Sequence, residues 1–315
     1  MNKLKLTCNS AEMGFATDSK MVYNYFLNDK EQLPETIPGI QVTPDDKIRL
    51  DKNCIMYLNR DDKTVQIDPE INKVILSVPE KQLYLPDLVY LALSMIAKEL
   101  NKDNKYIVHA AAIEKDDNAT LILGETGSGK TTLALWHCIK NNSNFLSNDR
   151  TVLGMKDGEP FIFNGTKQTH VRLGVIHEYF PTLKNKIDTQ KLANPWSNKI
   201  YINPEFEDLG IKVSNTAKLK NIIVASTYPT ANEKTTLERQ PEDVAKLSMM
   251  RFVSDNIRAY QNIVLSTDDP FPSFDNQELA EKRVKFVKDV VSQTPIYTAR
   301  GNIDELSLRI TEIEK

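Results

Sequence analysis

Gly124-Glu125-Thr126-Gly127-Ser128-Gly129-Lys130-Thr131 is the stretch on which the reading of this 315-residue sequence turns. Two glycines spaced by four residues, then lysine and a hydroxyl residue, form the phosphate-binding loop pattern. Ala119 to Leu123 before it reads as a strand. A helix starting at Gly129 or Lys130 follows, with Leu133, Leu135, Trp136 and Ile139 as its buried face and Asn141-Asn142 as its end. In that setting successive backbone N–H groups converge on an anion, and the glycines let phosphates approach the main chain. Gly124, Glu125, Thr126, Gly127, Ser128, Gly129, Lys130, Thr131 and Thr132 are therefore the candidate nucleotide-binding residues. Lys130 supplies charge to the outer phosphates, Thr131 offers its hydroxyl to a bridging magnesium ion, and Thr132 stands where it can bond the inner phosphate.

Working outward, Tyr106 to Ile113 reads as a strand and Lys115-Asp116-Asp117-Asn118 as a turn. Beyond the loop helix, Phe145-Leu146 and Val152-Leu153 flank the polar centre Ser147-Asn148-Asp149-Arg150, which reads as a strand with polar residues mid-run rather than a turn between two strands. Lys156-Asp157-Gly158-Glu159 then turns the chain back along Phe161-Ile162-Phe163. Asp149, nineteen residues after Lys130, is the leading acid, placed to reach the magnesium or an acceptor hydroxyl, so Thr131 and Asp149 are the candidate metal ligands. His109, on the strand before the loop strand, is the second catalytic candidate, against its reading as a satisfied core histidine. Arg150 and Arg172 are the candidates for neutralising charge on a transferring phosphoryl group. His137, His170 and His177 have no partner at metal-ligand spacing and read as structural.

The first hundred residues carry short apolar runs, Ile48 to Leu50, Ile55 to Leu58, Val65 to Ile67 and Val74 to Val78, punctuated by turn residues such as Asn59-Arg60-Asp61-Asp62. Hairpins of a small β-rich domain are the expectation, followed by a helix from Pro86 to Asn101 capped by Asp87. The expected division is residues 1–104, an N-terminal domain that holds the acceptor, and 105–315, the nucleotide-binding domain. Asn221 to Ser226 reads as a strand, Glu242 to Tyr260 and Gln277 to Ser292 as helices, and Pro181 to Ile211, with Trp196, as surface loops.

Forty Lys plus Arg against 43 Asp plus Glu leave a net charge of −3, which favours no polyanionic partner, so nucleic-acid binding is not expected. The longest nearly unbroken apolar run, Leu88 to Ala97, is too short to span a bilayer, and Met1 to Ser10 lacks the apolar stretch of a secretory signal. No membrane association and a cytoplasmic location are the expectations. Cys8, Cys54 and Cys138 are widely separated, with no Cys-x-x-Cys pair, and read as buried thiols rather than disulfides or zinc ligands.

Val108-His109-Ala110-Ala111-Ala112-Ile113, the loop Gly124 to Thr132, and Phe145-Leu146-Ser147-Asn148-Asp149-Arg150 together resemble the core of the HPr kinase family. That family includes HPr-kinase-like serine and peptide kinases and shares a P-loop fold with ATP-dependent phosphoenolpyruvate carboxykinase. The resemblance runs from Tyr106 to Gly165, roughly a fifth of the chain, and continues to the C-terminal helices only by general arrangement. It implies an α/β fold: a P-loop kinase domain of HPr kinase/phosphoenolpyruvate carboxykinase type, with the smaller β-rich domain before it. It also implies transfer of the γ-phosphate of ATP, with magnesium, to a serine-type hydroxyl, and puts His109 and Asp149 beside the phosphates. In HPr kinase the strand after the loop helix ends in two adjacent aspartates; here Asn148 holds the first place. An amide cannot accept a proton, so the base is Asp149 or His109, or is dispensable, and the phosphate-driven reverse reaction is not expected.

The first expectation is therefore an ATP- and Mg-dependent kinase acting on a small-molecule, peptide or protein hydroxyl, with oligomeric state left open. The alternative is a nucleotide-operated ATPase or binding module that yields no phosphorylated product. A carboxykinase-like enzyme is disfavoured because no second metal cluster is visible in the sequence.

Overall fold

A computed structural model of the chain describes residues 1–184, 199–202, 209–227, 234–262 and 273–314. Two compact units divide the chain: Met1–Val108 with Val253–Phe286, and His109–Phe252 with Val287–Lys315.

In the first unit, β1 (Asn2–Cys8) and β2 (Ala11–Thr17) form a hairpin through the left-handed Asn9 (φ 52°). Helix α1 (Lys20–Asn28) starts at Ser19, whose hydroxyl accepts from Val22 N at 3.1 Å. There follow α2 (Gln32–Thr36), β3 (Gln41–Pro44), β4 (Cys54–Leu58), β5 (Thr64–Asp68), β6 (Lys73–Ser77) and α3 (Leu85–Lys102). The six strands lie in the order β3-β1-β2-β4-β6-β5. Alternate residues Leu4, Leu6 and Cys8 of β1 are fully buried, and Phe15 stacks on Phe26 at 4.1 Å between ring centroids.

Three expectations for this region change. Asn59 to Asp62 joins β4 to β5, but β4 pairs with β6 in parallel; the hairpin is β5–β6, across Pro69 to Asn72. Ile48 to Leu50 forms no strand. Asp87 does not cap α3: Tyr84 precedes it without a side-chain cap, and Asp87 is buried inside the first turn.

Residues 253–286 belong with this unit rather than with the residues around the Gly124 loop. Tyr106 stacks on Phe286 at 4.3 Å, Asn256 Nδ2 donates to Ile107 O at 3.1 Å, and the buried Arg283 pairs with Asp275 at 2.5 Å. The first two of these contacts join segments more than a hundred residues apart, which a contiguous division at 104/105 did not anticipate.

The chain enters the second unit within β7 (Lys105–Lys115). Asp116 and Asp117, both left-handed (φ 51° and 63°), turn it into β8 (Asn118–Leu123), the two-residue hairpin expected there. Next come α4 (Lys130–Asn141), β9 (Asn144–Ser147), β10 (Arg150–Lys156), β11 (Glu159–Gly165), β12 (Thr169–Arg172), α5 (Leu173–Tyr179), α6 (Pro181–Lys184), β13 (Lys199–Ile202), β14 (Ala217–Thr227), β15 (Thr236–Arg239), α7 (Glu242–Ser254), α8 (Gln277–Gln293), β16 (Ile296–Gly301) and α9 (Ile303–Ile313). The main sheet runs β11-β10-β7-β8-β14-β16-β15, with β9 also on β7. The parallel trio β8, β14 and β16 aims three strand ends the same way, and the Gly124 loop leaves the end of β8.

Here too some expectations shift. The helix from Glu242 ends at Ser254, and Asn256–Asn262 continues as a 3-10 segment begun by Arg258 N donating to Asp255 O. Leu133 and Leu135 of α4 are buried as read and are joined by Ala134 and Cys138, while Trp136 is half-buried and Ile139 is 37% exposed. Within Pro181 to Ile211, Lys199–Ile202 is a strand paired with β12; residues 185–198, with Trp196, and 203–208 lie outside the described residues. No described helix is long and apolar enough to cross a membrane. The three cysteines are free and buried, and burial pushes the Cys8 thiol up to about 12.

Candidate active site

The Gly124 loop takes its shape from its neighbour β14 as much as from its glycines. Thr227 N and Thr227 Oγ1 both donate to Ser128 O, at 3.0 and 3.1 Å. Gly129 is left-handed (φ 86°), and a Cβ there would overlap the Thr227 side chain, so this residue must be glycine on both counts. Helix α4 then starts with no side-chain cap and no acidic residue in its first turn, which leaves its first N–H groups open to an anion. Ser128 Oγ is buried without a protein partner. An uncapped helix start, an unpartnered hydroxyl and a main-chain bend that excludes side chains fit a phosphate chain.

Lys130 is buried, and its ammonium donates to Gly124 O and Glu125 O at 2.8 and 3.0 Å. Burial lowers its pKa, opposed by the charges of Asp149 and Glu125. The lysine thus satisfies itself on its own loop and must leave those carbonyls to meet a phosphate. Thr132 is buried, while Thr126 and Gly127 are exposed at the loop's crest. Glu125 points to α7, where Arg251 Nη2 meets Glu125 Oε1 at 2.5 Å.

Asn148 and Asp149 form a bend between β9 and β10, two strands that both lie on β7, rather than the middle of one strand. The bend is held from three sides: Asn148 N donates to Thr166 O at 2.7 Å, Asn148 Nδ2 to Gln168 O at 3.1 Å, and Ala110 N to Asp149 O at 3.1 Å. Thr131 Oγ1 donates to Asn148 Oδ1 at 2.6 Å. The bonded partner of the candidate metal-binding hydroxyl is therefore the amide, a role that the sequence reading did not assign to Asn148.

Asp149 lies 3.9 Å from His109 Nε2. His109 is the one interior residue of β7 that is half-buried rather than buried, and burial, then the charges of Lys130 and Arg150, pull its pKa down to about 4 against the opposing pull of Asp149. The imidazole is neutral at pH 7. The charges of Lys130, Asp149, Arg150 and Glu125 thus act on His109, and those of Asp149 and Glu125 on Lys130. Arg172 reaches the loop from the end of β12: its Nη2 lies 3.8 Å from where a Cβ on Gly127 would stand.

The other histidines are structural or peripheral. His137 is fully buried, with Nδ1 at 3.1 Å from Ser307 Oγ and Nε2 at 3.2 Å from Glu314 Oε2. His170 packs on Tyr201, and His177 is exposed. Among the described residues no three His, Cys, Asp or Glu side chains gather as a metal site. The donor set fits magnesium, which binds through one or two protein oxygens plus substrate phosphates.

No family model matches the chain, and no curated protein does. Among solved structures, the HPr(Ser) kinase/phosphatase from Coxiella burnetii aligns with a TM-score of 0.31 at 13% identity, over 66% of this chain and 92% of that one. Overlap at this level transfers no role to any residue; roles follow from the side chains themselves.

Proposed function

We propose that this chain is an ATP- and Mg-dependent kinase that transfers the γ-phosphate to a serine-type hydroxyl on a small molecule, peptide or protein. One observation carries the reading: the Thr131 hydroxyl, at the start of an uncapped helix, donates to Asn148 Oδ1 at 2.6 Å, and the next residue, Asp149, stands 3.9 Å from His109 Nε2. A cradle for phosphates and a carboxylate for a hydroxyl thus belong to one site. The loop N–H groups and Lys130 hold the phosphate chain, and Arg172 beside the loop and Arg150 beside His109 are the cations that would neutralise the transferring group. Thr131, its proton committed to Asn148, keeps its lone pairs for the metal, and Asp149 is the second oxygen ligand or the group that orients the acceptor. Magnesium, when bound, neutralises charge on the phosphate oxygens. The hydroxyl proton passes to Asp149 or to the neutral His109 beside it. Phosphoryl transfer through a loose transition state asks little of the base, so positioning supplies most of the acceleration.

Incubation with γ-labelled ATP, magnesium and panels of serine peptides, proteins and small hydroxyl compounds tests this. A labelled acceptor is the expected product. Release of phosphate to water alone, with nucleotide-dependent capture of a partner, would instead identify the binding module.

A further inference from the structure

The second unit contains a cavity of about 620 Å³ whose lining combines residues Gly124 to Ser128 with Val224 and Ala225 of β14 and one face of α7. That face is set by helical spacing: Leu247 and Arg251 are four apart, as are Ser248 and Phe252. Leu247 is 74% exposed, although it lies in a cavity with apolar walls. A lone exposed leucine means little, but this one adjoins a main-chain cradle that takes phosphates. Arg251 and Glu125 pair across the same cavity with side chains 64% and 61% exposed, so the pair adds little to stability. It does cancel a carboxylate that would otherwise repel a phosphate chain.

We infer that α7 is a nucleotide-binding element: the cavity seats the nucleoside of the bound nucleotide against Leu247 and Val224, and Arg251 compensates Glu125 at the phosphate loop. The inference rests on the reading that phosphates occupy the Gly124 loop. The nucleoside is the occupant favoured because the cavity runs from that loop onto apolar side chains, as a heteroaromatic group joined to a phosphate chain requires.

The test compares ATP with inorganic tripolyphosphate, which has no nucleoside, by calorimetry with magnesium on the full chain. Leu247→Ser, which uncovers no core, and Ser248→Trp, which fills the cavity, are expected to weaken ATP about tenfold and leave tripolyphosphate within twofold. Arg251→Ala is expected to weaken both ligands, and Glu125→Gln added to it to restore them. ATP affinity unchanged in both cavity variants overturns the inference. So does equal weakening of ATP and tripolyphosphate there, which would mark a disturbed loop, and so does a rise in acceptor KM alone, which would mark an acceptor pocket. Arg251→Ala without effect removes that residue's role. Wild-type protein that binds neither ligand overturns the phosphate-loop reading itself, and this inference with it.

Discussion

The Thr131 hydroxyl donates to the Asn148 side-chain carbonyl at 2.6 Å, and the Asn148 amide passes the restraint on to Gln168 O at 3.1 Å. The start of α4 is thereby tied to the bend that carries Asp149. Asn148→Ala removes a buried side chain and leaves two half-buried partners, Thr131 Oγ1 and Gln168 O, without it, and a loss of about 1 kcal/mol in urea unfolding is expected. Half-maximal turnover should then require more magnesium. Asn148→Asp keeps the acceptor but sets a carboxylate against the Gln168 carbonyl, so its melting temperature should fall without magnesium and recover with it.

Asp149→Asn retains size and shape while removing the charge beside His109. Nucleotide affinity should stay within a few fold, while transfer falls about 10²- to 10⁴-fold. Single-turnover assays with labelled ATP separate the two quantities. Unchanged turnover would remove Asp149 from the mechanism.

Among the described residues Lys130 donates to two carbonyls, both of its own loop. Lys130→Ala should therefore change the unfolding midpoint little while abolishing nucleotide binding in calorimetry.

Gly129→Ala puts a methyl group on the Thr227 side chain at a left-handed residue. The expected cost is about 1–3 kcal/mol with loss of nucleotide binding. Thermal melts and calorimetry on one preparation check both. A variant as stable as wild type would contradict the close approach of β14 to the loop.

His109 has its pKa lowered from 6.5 to about 4, so between those values the unfolded chain binds the proton and the folded chain does not. Stability present above pH 6.5 is consequently lost as pH falls toward 4. His109→Gln should flatten that part of the pH dependence in urea unfolding at pH 7, 5.5 and 4.5, relative to wild type. A parallel profile would place the imidazole in water.

Elements whose causes lie within a dozen residues were legible from the chain. The two-residue turn at Asp116-Asp117 and helix α8 follow from local φ preference and apolar spacing, and both stand where they were read. Strand partners were not legible in the same way. The runs at Ile55 and Val65 announce strands, but alternation does not say which neighbour each takes, and a turn-like Asn59-Arg60-Asp61-Asp62 was read as a hairpin where the chain crosses over β6. His109 and Asp149 were both candidates, forty residues apart, and the pairing of β7 with the bend brought them to 3.9 Å.

The glycines, the lysine and the apolar period of α4 specify a main-chain cradle, because left-handed backbone and helix initiation are properties of a few consecutive residues. Which side chains gather round it is a matter of packing between distant segments. Asn148 as the partner of Thr131, Arg251 as the partner of Glu125, and the attachment of residues 253–286 to the first unit all follow from contacts between distant segments that no short stretch encodes.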